Sequence, residues 1–271
     1  MARTQAIVCV QADAREHRLT HAARTASLPI SPRFWSDVRA GPALVCACRD
    51  GCGENEPYWC GCLPCTHELE APLSAAWALL AARYCHAPNV IMADLFNEPY
   101  LASWGTGEPR TDWDLAVSRI GSALLDSCPR WLLVAQGVAN NGGLCAAASG
   151  YHCWWGENLI GQLHHPIELP NHPGRLVLSP HVYGHNPNMG YMNDPSFPSI
   201  CPAVWSAHWA SIPEATGTPL LVGEFGGVCN DTVWHQQSIP ATAAWQAALV
   251  AFLRDRNIGW FYWTRAHRRP P

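Results

Sequence analysis

The hydrophobic positions of the chain form short runs rich in β-branched residues, and these runs alternate with stretches of helical periodicity. From His86 onward the predicted order is strand, helix, strand, long loop, strand, helix, strand, helix, strand. This alternation indicates a parallel sheet with right-handed crossovers, and the (β/α)8 barrel is its commonest closed form. The predicted strands are 90–96, 131–135, 175–180, 220–222 and 258–263, and the predicted helices are 72–86, 112–127, 204–215 and 241–255.

Two of the predicted strands are each followed closely by a glutamate. The strand 90–96 leads into Asn97, Glu98 and Pro99, and the strand 220–222 leads into Gly223 and Glu224. The carboxyl ends of parallel strands are where barrels and open α/β folds place their chemistry. Two carboxylates are the minimum set for cleaving a glycosidic bond. The sequence therefore predicts that these two glutamates form a pair of carboxylates that can cleave a glycosidic bond.

Composition and charge narrow the function further. A chain of 271 residues is long enough for one large domain with a sizeable core. The net charge of −4 provides no basic field for nucleic acid. The chain contains no lysine, which excludes a Walker-type phosphate loop and a Schiff-base lysine. Its 14 tryptophans favour carbohydrate, because indole rings stack on the apolar faces of sugars.

Thirteen cysteines are an unusually high number, and six of them lie between Cys46 and Cys65. Disulfides, free thiols and a zinc site that includes His67 are all compatible with this cluster. Structural zinc usually takes pairs of ligands two to four residues apart, and the spacing here is irregular. Zinc is therefore the less favoured alternative, and no metal or organic cofactor is expected at the glutamate pair.

Several motifs in the same order resemble glycoside hydrolase family 5, particularly its endo-β-1,4-glucanases (cellulases). The resemblance extends from about Ala43 to Trp263, and the order of the motifs makes it more specific than any single match. The motifs that carry it are Asn97-Glu98-Pro99, Trp154-Trp155-Gly156-Glu157-Asn158-Leu159, His181-Val182-Tyr183, Asn193-Asp194-Pro195-Ser196-Phe197-Pro198 and Gly223-Glu224-Phe225-Gly226.

The resemblance implies a retaining glycosidase that cleaves internal β-1,4-glucosidic bonds. Glu98 would be the acid/base and Glu224 the nucleophile. Asn97 would hydrogen-bond the sugar 2-hydroxyl, and Tyr183 would donate its hydroxyl to Glu224. Three further residues would line the cleft or stack on sugar rings: His181, Trp155 and Trp263. The expected partner is a β-glucan, with no nucleic acid, no membrane and no second subunit.

The chain also departs from the family pattern. Residues 1–41 are interpreted as a divergent or misassembled N-terminal segment, and 42–271 as the catalytic barrel. Cys48 stands where the family has an active-site histidine, and a second-strand arginine cannot be placed. The last residues, 264–271, do not resemble the loop that follows the family's eighth strand. The barrel is therefore expected to be incomplete at its first two strands and after its eighth.

Three alternatives stay open at this point. The chain is an active glucanase, a catalytically inactive carbohydrate-binding domain derived from one, or a zinc-binding module on an unrelated α/β body. Within the enzyme hypothesis another β-glycan such as mannan is possible, because related barrels differ mainly in their loops. The family is expected to be extracellular, although charged residues 15–18 stand where a signal peptide would have an apolar block.

Overall fold

The computed structural model divides the chain into two compact units. The first comprises residues 1–135 and 165–177, and the second comprises 136–164 and 178–271. The ranges that the structure describes are 8–13, 18–22, 65–99, 102–139, 143–154, 156–184, 190–227 and 239–263. Of the cysteine cluster between Cys46 and Cys65, all but Cys65 lies outside these ranges.

Strands of the first unit belong to a sheet with the order β2-β1-β3-β4-β5. β1 pairs antiparallel with β2 and parallel with β3, and β3 pairs parallel with β4. The unit contains β1 to β3, nearly all of β4 and the start of β5. The strands are β1 (Val8–Asp13), β2 (Arg18–Ala22), β3 (Val90–Asp94), β4 (Leu132–Gln136) and β5 (Leu176–Ser179). Because an eight-stranded β/α barrel is all parallel, the β1–β2 hairpin is a departure from that pattern.

Two helices, α1 (Cys65–Tyr84) and α2 (Trp113–Ser127), pack against each other in the first unit. α2 buries Val117, Ile120 and Leu124 on one face, as its spacing predicts. α1 begins seven residues earlier than predicted, so Pro72 lies inside the helix and is not its first residue. Since proline is tolerated best in a first turn, its presence in the sequence suggested a helix start that the structure does not have.

A disulfide joins Cys85 to Cys128 and so links the residues just after α1 and α2. The bond closes a 43-residue separation, which corresponds to about 4 kcal/mol in the chain-entropy model. Beside it, the Arg130 guanidinium donates hydrogen bonds to the carbonyls of Cys85, Ala87 and Val90. The turn between α1 and β3 is therefore fixed covalently and by hydrogen bonds.

The second unit contains a parallel sheet with the order β6-β7-β8. Its strands are β6 (His181–Tyr183), β7 (Leu221–Gly226) and β8 (Gly259–Tyr262). Its α-helices are α3 (Leu144–Ser149), α4 (Cys201–Trp205), α5 (Ile212–Thr216) and α6 (Ile239–Asp255). Trp205 packs edge-on against Trp245 of α6, and both side chains are fully buried. These indoles therefore belong to the core, not to a sugar-binding surface.

Two regions of this unit differ from the predicted elements. The single helix predicted at 204–215 is instead α4, one turn of π-helix (Ser206–Ala210) and α5. Pro202 and Pro213 stand at the starts of α4 and α5, where a missing N–H is tolerated. The long loop predicted at 140–174 contains α3 and a turn of 3-10 helix (Ile160–Leu163). In the ranges given above, no helix is both long and apolar enough to cross a bilayer.

Candidate active site

Glu98 lies just beyond the carboxyl end of β3 in the first unit. Its residue is 7% exposed, and its φ of 48° is in the left-handed region that side chains other than glycine rarely adopt. Such backbone conformations cost about 1–3 kcal/mol and cluster at functional sites. A strained, buried carboxylate at a strand end is therefore a candidate catalytic group.

Aromatic residues fix the segment that leads to Glu98. The indole N–H of Trp77, from α1, donates to the Leu95 carbonyl at 3.1 Å. Phe96 packs edge-on against Trp113 with ring centroids 6.1 Å apart. The backbone N–H of Leu95 continues the β3–β4 pairing by donating to Val134. These contacts fix the position of the chain as far as Phe96. The next residue, Asn97, is half-buried.

Glu224 lies in β7 of the second unit, at an irregularity of the strand. Val222 pairs with Trp260 of β8 and Phe225 pairs with Tyr262, so the register shifts between these pairs. Three residues of advance along β7 match only two along β8. An extra residue of this kind is a β-bulge, which re-aims side chains next to active sites. The Glu224 side chain is almost buried, with its residue 7% exposed.

Two side chains of β6 contact the Glu224 carboxylate. The Tyr183 hydroxyl donates a hydrogen bond to Oε2 of Glu224. His181 Nδ1 lies 3.6 Å from the same oxygen, which is an ion-pair distance when the ring is protonated. Register explains the convergence, since His181 is directly opposite Glu224 and Tyr183 points to the same face two residues later. This arrangement orients the carboxylate from one side.

Gly223 leaves space for the His181 ring that faces the Glu224 carboxylate. A Cβ at that position would overlap the Ser179 hydroxyl and lie 3.3 Å from His181 Nε2. In the sequence, Gly223 stands out only as part of the Gly223-Glu224-Phe225-Gly226 motif. Its role as a spacer beneath His181 is a feature that only the packing reveals.

The remaining predicted residues are described to different extents. Trp263 is half-buried at the end of β8, and its backbone N–H donates to Phe225 at 2.8 Å. Trp155 lies outside the described ranges. The roles predicted for Asn97, His181 and Trp263 in binding sugar therefore stay predictions, as does the assignment of Glu98 and Glu224 as a catalytic pair.

Sequence reasoning missed a second cluster of polar residues in the second unit. Glu157 Oε1 lies 3.1 Å from His208 Nδ1, and His208 Nε2 lies 2.7 Å from the Ser149 hydroxyl. Glu157 and His208 are both fully buried, and the backbone N–H of Trp154 donates to the carboxylate at 2.7 Å. The Trp154–Leu159 motif contained Glu157, but nothing in the spacing indicated a partner 51 residues away.

A family model described as cellulase (glycosyl hydrolase family 5) matches residues 66–268. The chain belongs to this family. The match covers both candidate glutamates and begins inside α1, so the β1–β2 hairpin lies outside it. The resemblance to glycoside hydrolase family 5 that the sequence motifs indicated is thereby confirmed.

Among characterised proteins, the chain is 43% identical over 190 residues to an endoglucanase of Paenibacillus polymyxa. It is 38% identical over 199 residues to the major extracellular endoglucanase of Xanthomonas campestris. These alignments cover 69% and 72% of this chain but 45% and 38% of the relatives. The chain thus spans less than half the length of these two proteins.

Solved structures of the same family resemble the fold. The catalytic domain of the Xanthomonas campestris major endoglucanase aligns with a TM-score of 0.62 at 37% identity, covering 72% of this chain and 54% of that one. An endocellulase of Pyrococcus horikoshii, solved with cellotetraose, aligns with a TM-score of 0.63 at 33% identity, covering 72% and 55%. Together with the family match, these similarities confirm the predicted α/β fold class, the (β/α)8 barrel.

Proposed function

We propose that the chain is a retaining endo-β-1,4-glucanase in which Glu98 is the acid/base and Glu224 the nucleophile. The observation that carries this proposal is the environment of the Glu224 carboxylate at the β7 bulge. The carboxylate accepts a hydrogen bond from the Tyr183 hydroxyl and faces His181. Its position in the carboxyl-terminal half of a parallel strand is on the side where barrel enzymes hold their reacting groups. Membership of the cellulase family and the endoglucanase names of the relatives support the choice of substrate.

In the proposed mechanism the Glu224 carboxylate attacks the anomeric carbon and forms a glycosyl-enzyme intermediate. Glu98, in its acid form, gives its proton to the leaving glycosidic oxygen, and as a carboxylate it then takes a proton from the water that releases the sugar. Tyr183 keeps the nucleophile aimed because its hydroxyl is already bonded to Oε2. Asn97 binds the sugar 2-hydroxyl, a contact that strengthens in the oxocarbenium-like transition state.

Hydrolysis of carboxymethylcellulose, measured as reducing ends released, tests the activity. Glu98→Ala and Glu224→Ala are each expected to lower kcat by at least about 10⁴-fold, since each removes a reacting group. Glu214→Ala is the matched control, because its carboxylate is 78% exposed on α5 and pairs loosely with Arg256. Binding of the polymer without turnover by the unaltered chain would instead indicate a carbohydrate-binding domain. Turnover of mannan but not of cellulose would move the substrate assignment to another β-glycan.

Azide rescue distinguishes the two roles. In Glu224→Ala, azide enters the space of the lost nucleophile and displaces an activated leaving group in one step, which gives an α-glycosyl azide from a β-glycoside. In Glu98→Ala, the glycosyl-enzyme still forms from an activated glycoside, and azide opens it with net retention to a β-glycosyl azide. The opposite pairing of products would exchange the roles of the glutamates, and an absence of rescue in both would contradict a covalent intermediate.

The chain is also proposed to work outside the cell, as a monomer, on β-glucan alone. Two disulfides, Cys85–Cys128 and Cys145–Cys153, are typical of an oxidising compartment. The Xanthomonas campestris relative is a major extracellular endoglucanase, which supports the same compartment. Fractionation of the expressing cells and sedimentation of the purified chain test both statements, and activity confined to a reducing cytosol would contradict the first.

A further inference from the structure

The turn 154–157 is attached to the backbone beside the proposed nucleophile. The Gly156 carbonyl accepts hydrogen bonds from the N–H groups of Gly137, at 3.0 Å, and of His181, at 3.3 Å. Gly137 directly follows β4, and His181 is the first residue of β6, with its ring 3.6 Å from the Glu224 carboxylate. The turn therefore lies within the second unit, next to the residues that surround Glu224.

Glu157 closes this turn through its backbone and through its side chain. Its N–H donates to the Trp154 carbonyl at 3.1 Å, and its Oε2 accepts the Trp154 N–H at 2.7 Å. Gly156 has a φ of 74°, in the left-handed region where glycine carries no Cβ penalty. Trp154 is half-buried, and Trp155, the residue predicted to stack on a sugar ring, follows it in the sequence. Glu157 therefore holds both ends of a segment that is predicted to contact sugar.

His208 fixes the other oxygen of the same carboxylate. Its Nδ1 lies 3.1 Å from Glu157 Oε1, and its Nε2 lies 2.7 Å from the Ser149 hydroxyl. Glu157 and His208 are both fully buried, and hydrogen bonds shielded from water in this way are stronger than those at the surface. His208 also lies in the π-helical turn, a feature frequent at functional sites. One oxygen of Glu157 is thus bound to the turn and the other to a fixed imidazole.

Ser149, His208 and Glu157 have the hydrogen-bond order of a serine-hydrolase triad, but their surroundings do not suit acyl transfer. Ser149 is the last residue of α3, and its hydroxyl lies 3.0 Å from the Cys145 carbonyl and 3.3 Å from the Tyr151 carbonyl. The Tyr151 N–H donates to the hydroxyl itself at 3.1 Å. Carbonyl oxygens repel an oxyanion, which needs N–H donors instead. Ser149 therefore serves as a partner that orients the imidazole.

Given the glucanase function proposed above, on which this inference rests, we propose that Glu157, held by His208, is a positioning residue for substrate binding. It fixes the turn 154–157 as a preformed surface for the glucan chain. Neither its carboxylate nor the imidazole contacts the substrate, because both residues are fully buried. A surface that is ordered before binding avoids the entropic cost of ordering it, so loosening the turn weakens binding. When substrate and transition state are weakened alike, KM rises and kcat is unchanged.

Steady-state kinetics on carboxymethylcellulose test the proposal with two variants of one residue. Glu157→Met keeps the length of the side chain and removes both acceptor oxygens. It should raise KM about tenfold, with a smaller change in kcat, since a hydrogen bond to a charged group is lost. Glu157→Gln should keep KM within about threefold of the natural value. Its amide oxygen can accept the Trp154 N–H when His208 carries its proton on Nε2 and donates it to the Ser149 hydroxyl.

Leu249→Ala is the matched control for stability, because Leu249 is fully buried in α6. It should lower the midpoint of thermal unfolding and leave KM unchanged, since KM does not depend on the fraction of the chain that is folded.

A pair of glycine variants keeps the test valid if Glu157→Met does not fold. Gly156 and Gly150 both have left-handed backbone, with φ of 74° and 81°, so an alanine at either is strained. A Cβ at Gly150 would meet no atom within 4 Å, and Gly150 lies outside the turn. Gly156→Ala should therefore raise KM, whereas Gly150→Ala should not.

Unchanged KM in Gly156→Ala, or in a folded Glu157→Met, overturns the proposal. So does a rise of KM in Leu249→Ala equal to that in Glu157→Met, which would reduce the effect to general destabilisation. A KM in Glu157→Gln as high as in Glu157→Met overturns it as well, because the acceptor for the Trp154 N–H would then not position the turn. Absence of hydrolysis by the unaltered chain is a different result, since it contradicts the glucanase function itself.

Discussion

Two glutamates of the second unit, Glu224 and Glu157, each stand beside a histidine and a hydroxyl, yet their surroundings differ. Glu224 accepts the Tyr183 hydroxyl directly and has its histidine 3.6 Å away. Glu157 is bonded to the histidine at 3.1 Å and to a backbone N–H, and its hydroxyl partner lies on the far side of the imidazole. Similar residue types therefore build two different arrangements.

Position in the fold separates the roles that we propose for these two glutamates. Glu224 lies on a bulge of a parallel strand and is 7% exposed, so its carboxylate is within reach of a substrate. Glu157 is fully buried in the connection between α3 and β5, where it can act only on the protein. A glutamate beside a histidine is therefore not evidence of catalysis unless the fold also places it toward the carboxyl end of a parallel strand.

The largest expected difference is in turnover. Glu224→Gln should lower kcat on cellulose derivatives by at least about 10⁴-fold, because an amide is not a nucleophile at the anomeric carbon. Glu157→Gln, which keeps the shape of the side chain, should leave kcat within about threefold while lowering stability. Initial rates and thermal unfolding of both variants check this. Equal losses of kcat would remove the distinction between the two sites.

The free energy of unfolding should depend strongly on the buried Glu157–His208 pair. His208→Ala leaves the buried Glu157 carboxylate without its imidazole, and breaking a buried pair of this kind costs about 3–5 kcal/mol. The free energy of unfolding from urea titration measures the loss. His172→Ala is the control, since that ring pairs with Asp126, whose side chain is 67% exposed, and it should cost less than about 1 kcal/mol.

Loss of the Tyr183 hydroxyl should have an intermediate effect. Hydrogen bonds to charged groups contribute about 1.5–3 kcal/mol, so Tyr183→Phe should lower kcat by roughly 10–150-fold. KM should change little, because the bond orients the nucleophile and does not contact the sugar in our proposal. A change confined to KM would show that Tyr183 binds substrate instead.

The spacer at residue 223 offers a smaller test. Gly223→Ala forces a methyl group against the Ser179 hydroxyl and the His181 ring, and overpacking of this kind costs about 1–3 kcal/mol. Activity should fall with stability, and Ser179→Ala in the same chain should restore part of both, since it removes the overlapping oxygen. Gly259→Ala is the control, because its Cβ would meet only a flexible Leu221 methyl at 3.0 Å.

The smallest effect concerns a partly exposed carboxylate. Hydrogen bonds from Ser196, and then from Tyr151, lower the pKa of Asp194 below its ordinary 3.8. The stability it contributes is therefore present above pH 3.8 and is lost as the pH falls through the lowered pKa. Tyr151→Phe should be slightly less stable than the natural chain at pH 6 and equal to it near the acid end of the titration. A difference that persists in acid would assign the tyrosine a packing role alone.

The places of the strands could be predicted from the sequence, and irregular segments could not. The end of β7 was predicted wrongly, since the strand extends past 222 to Gly226 and contains Glu224. Apolar runs before Glu98 and Glu224 predicted β3 and β7 because burial of a parallel strand requires continuous hydrophobic residues. The π-helical turn at 206–210 was predicted as part of one continuous helix, and helix α3 was predicted as loop because its short run lacks apolar periodicity. Pro72 was misread as a helix start for a related reason: a local preference was overridden by packing.

The sequence by itself determined the family and the fold class and singled out the two glutamates as candidates, since these depend on local runs and motifs that need no knowledge of the chain path. Tertiary structure alone decided that Gly223 is a spacer and that Cys145 pairs with Cys153. It also decided that Glu157 meets His208 across 51 residues. Contacts of that kind depend on where separate segments return to each other in space, and a linear pattern contains no measure of that distance.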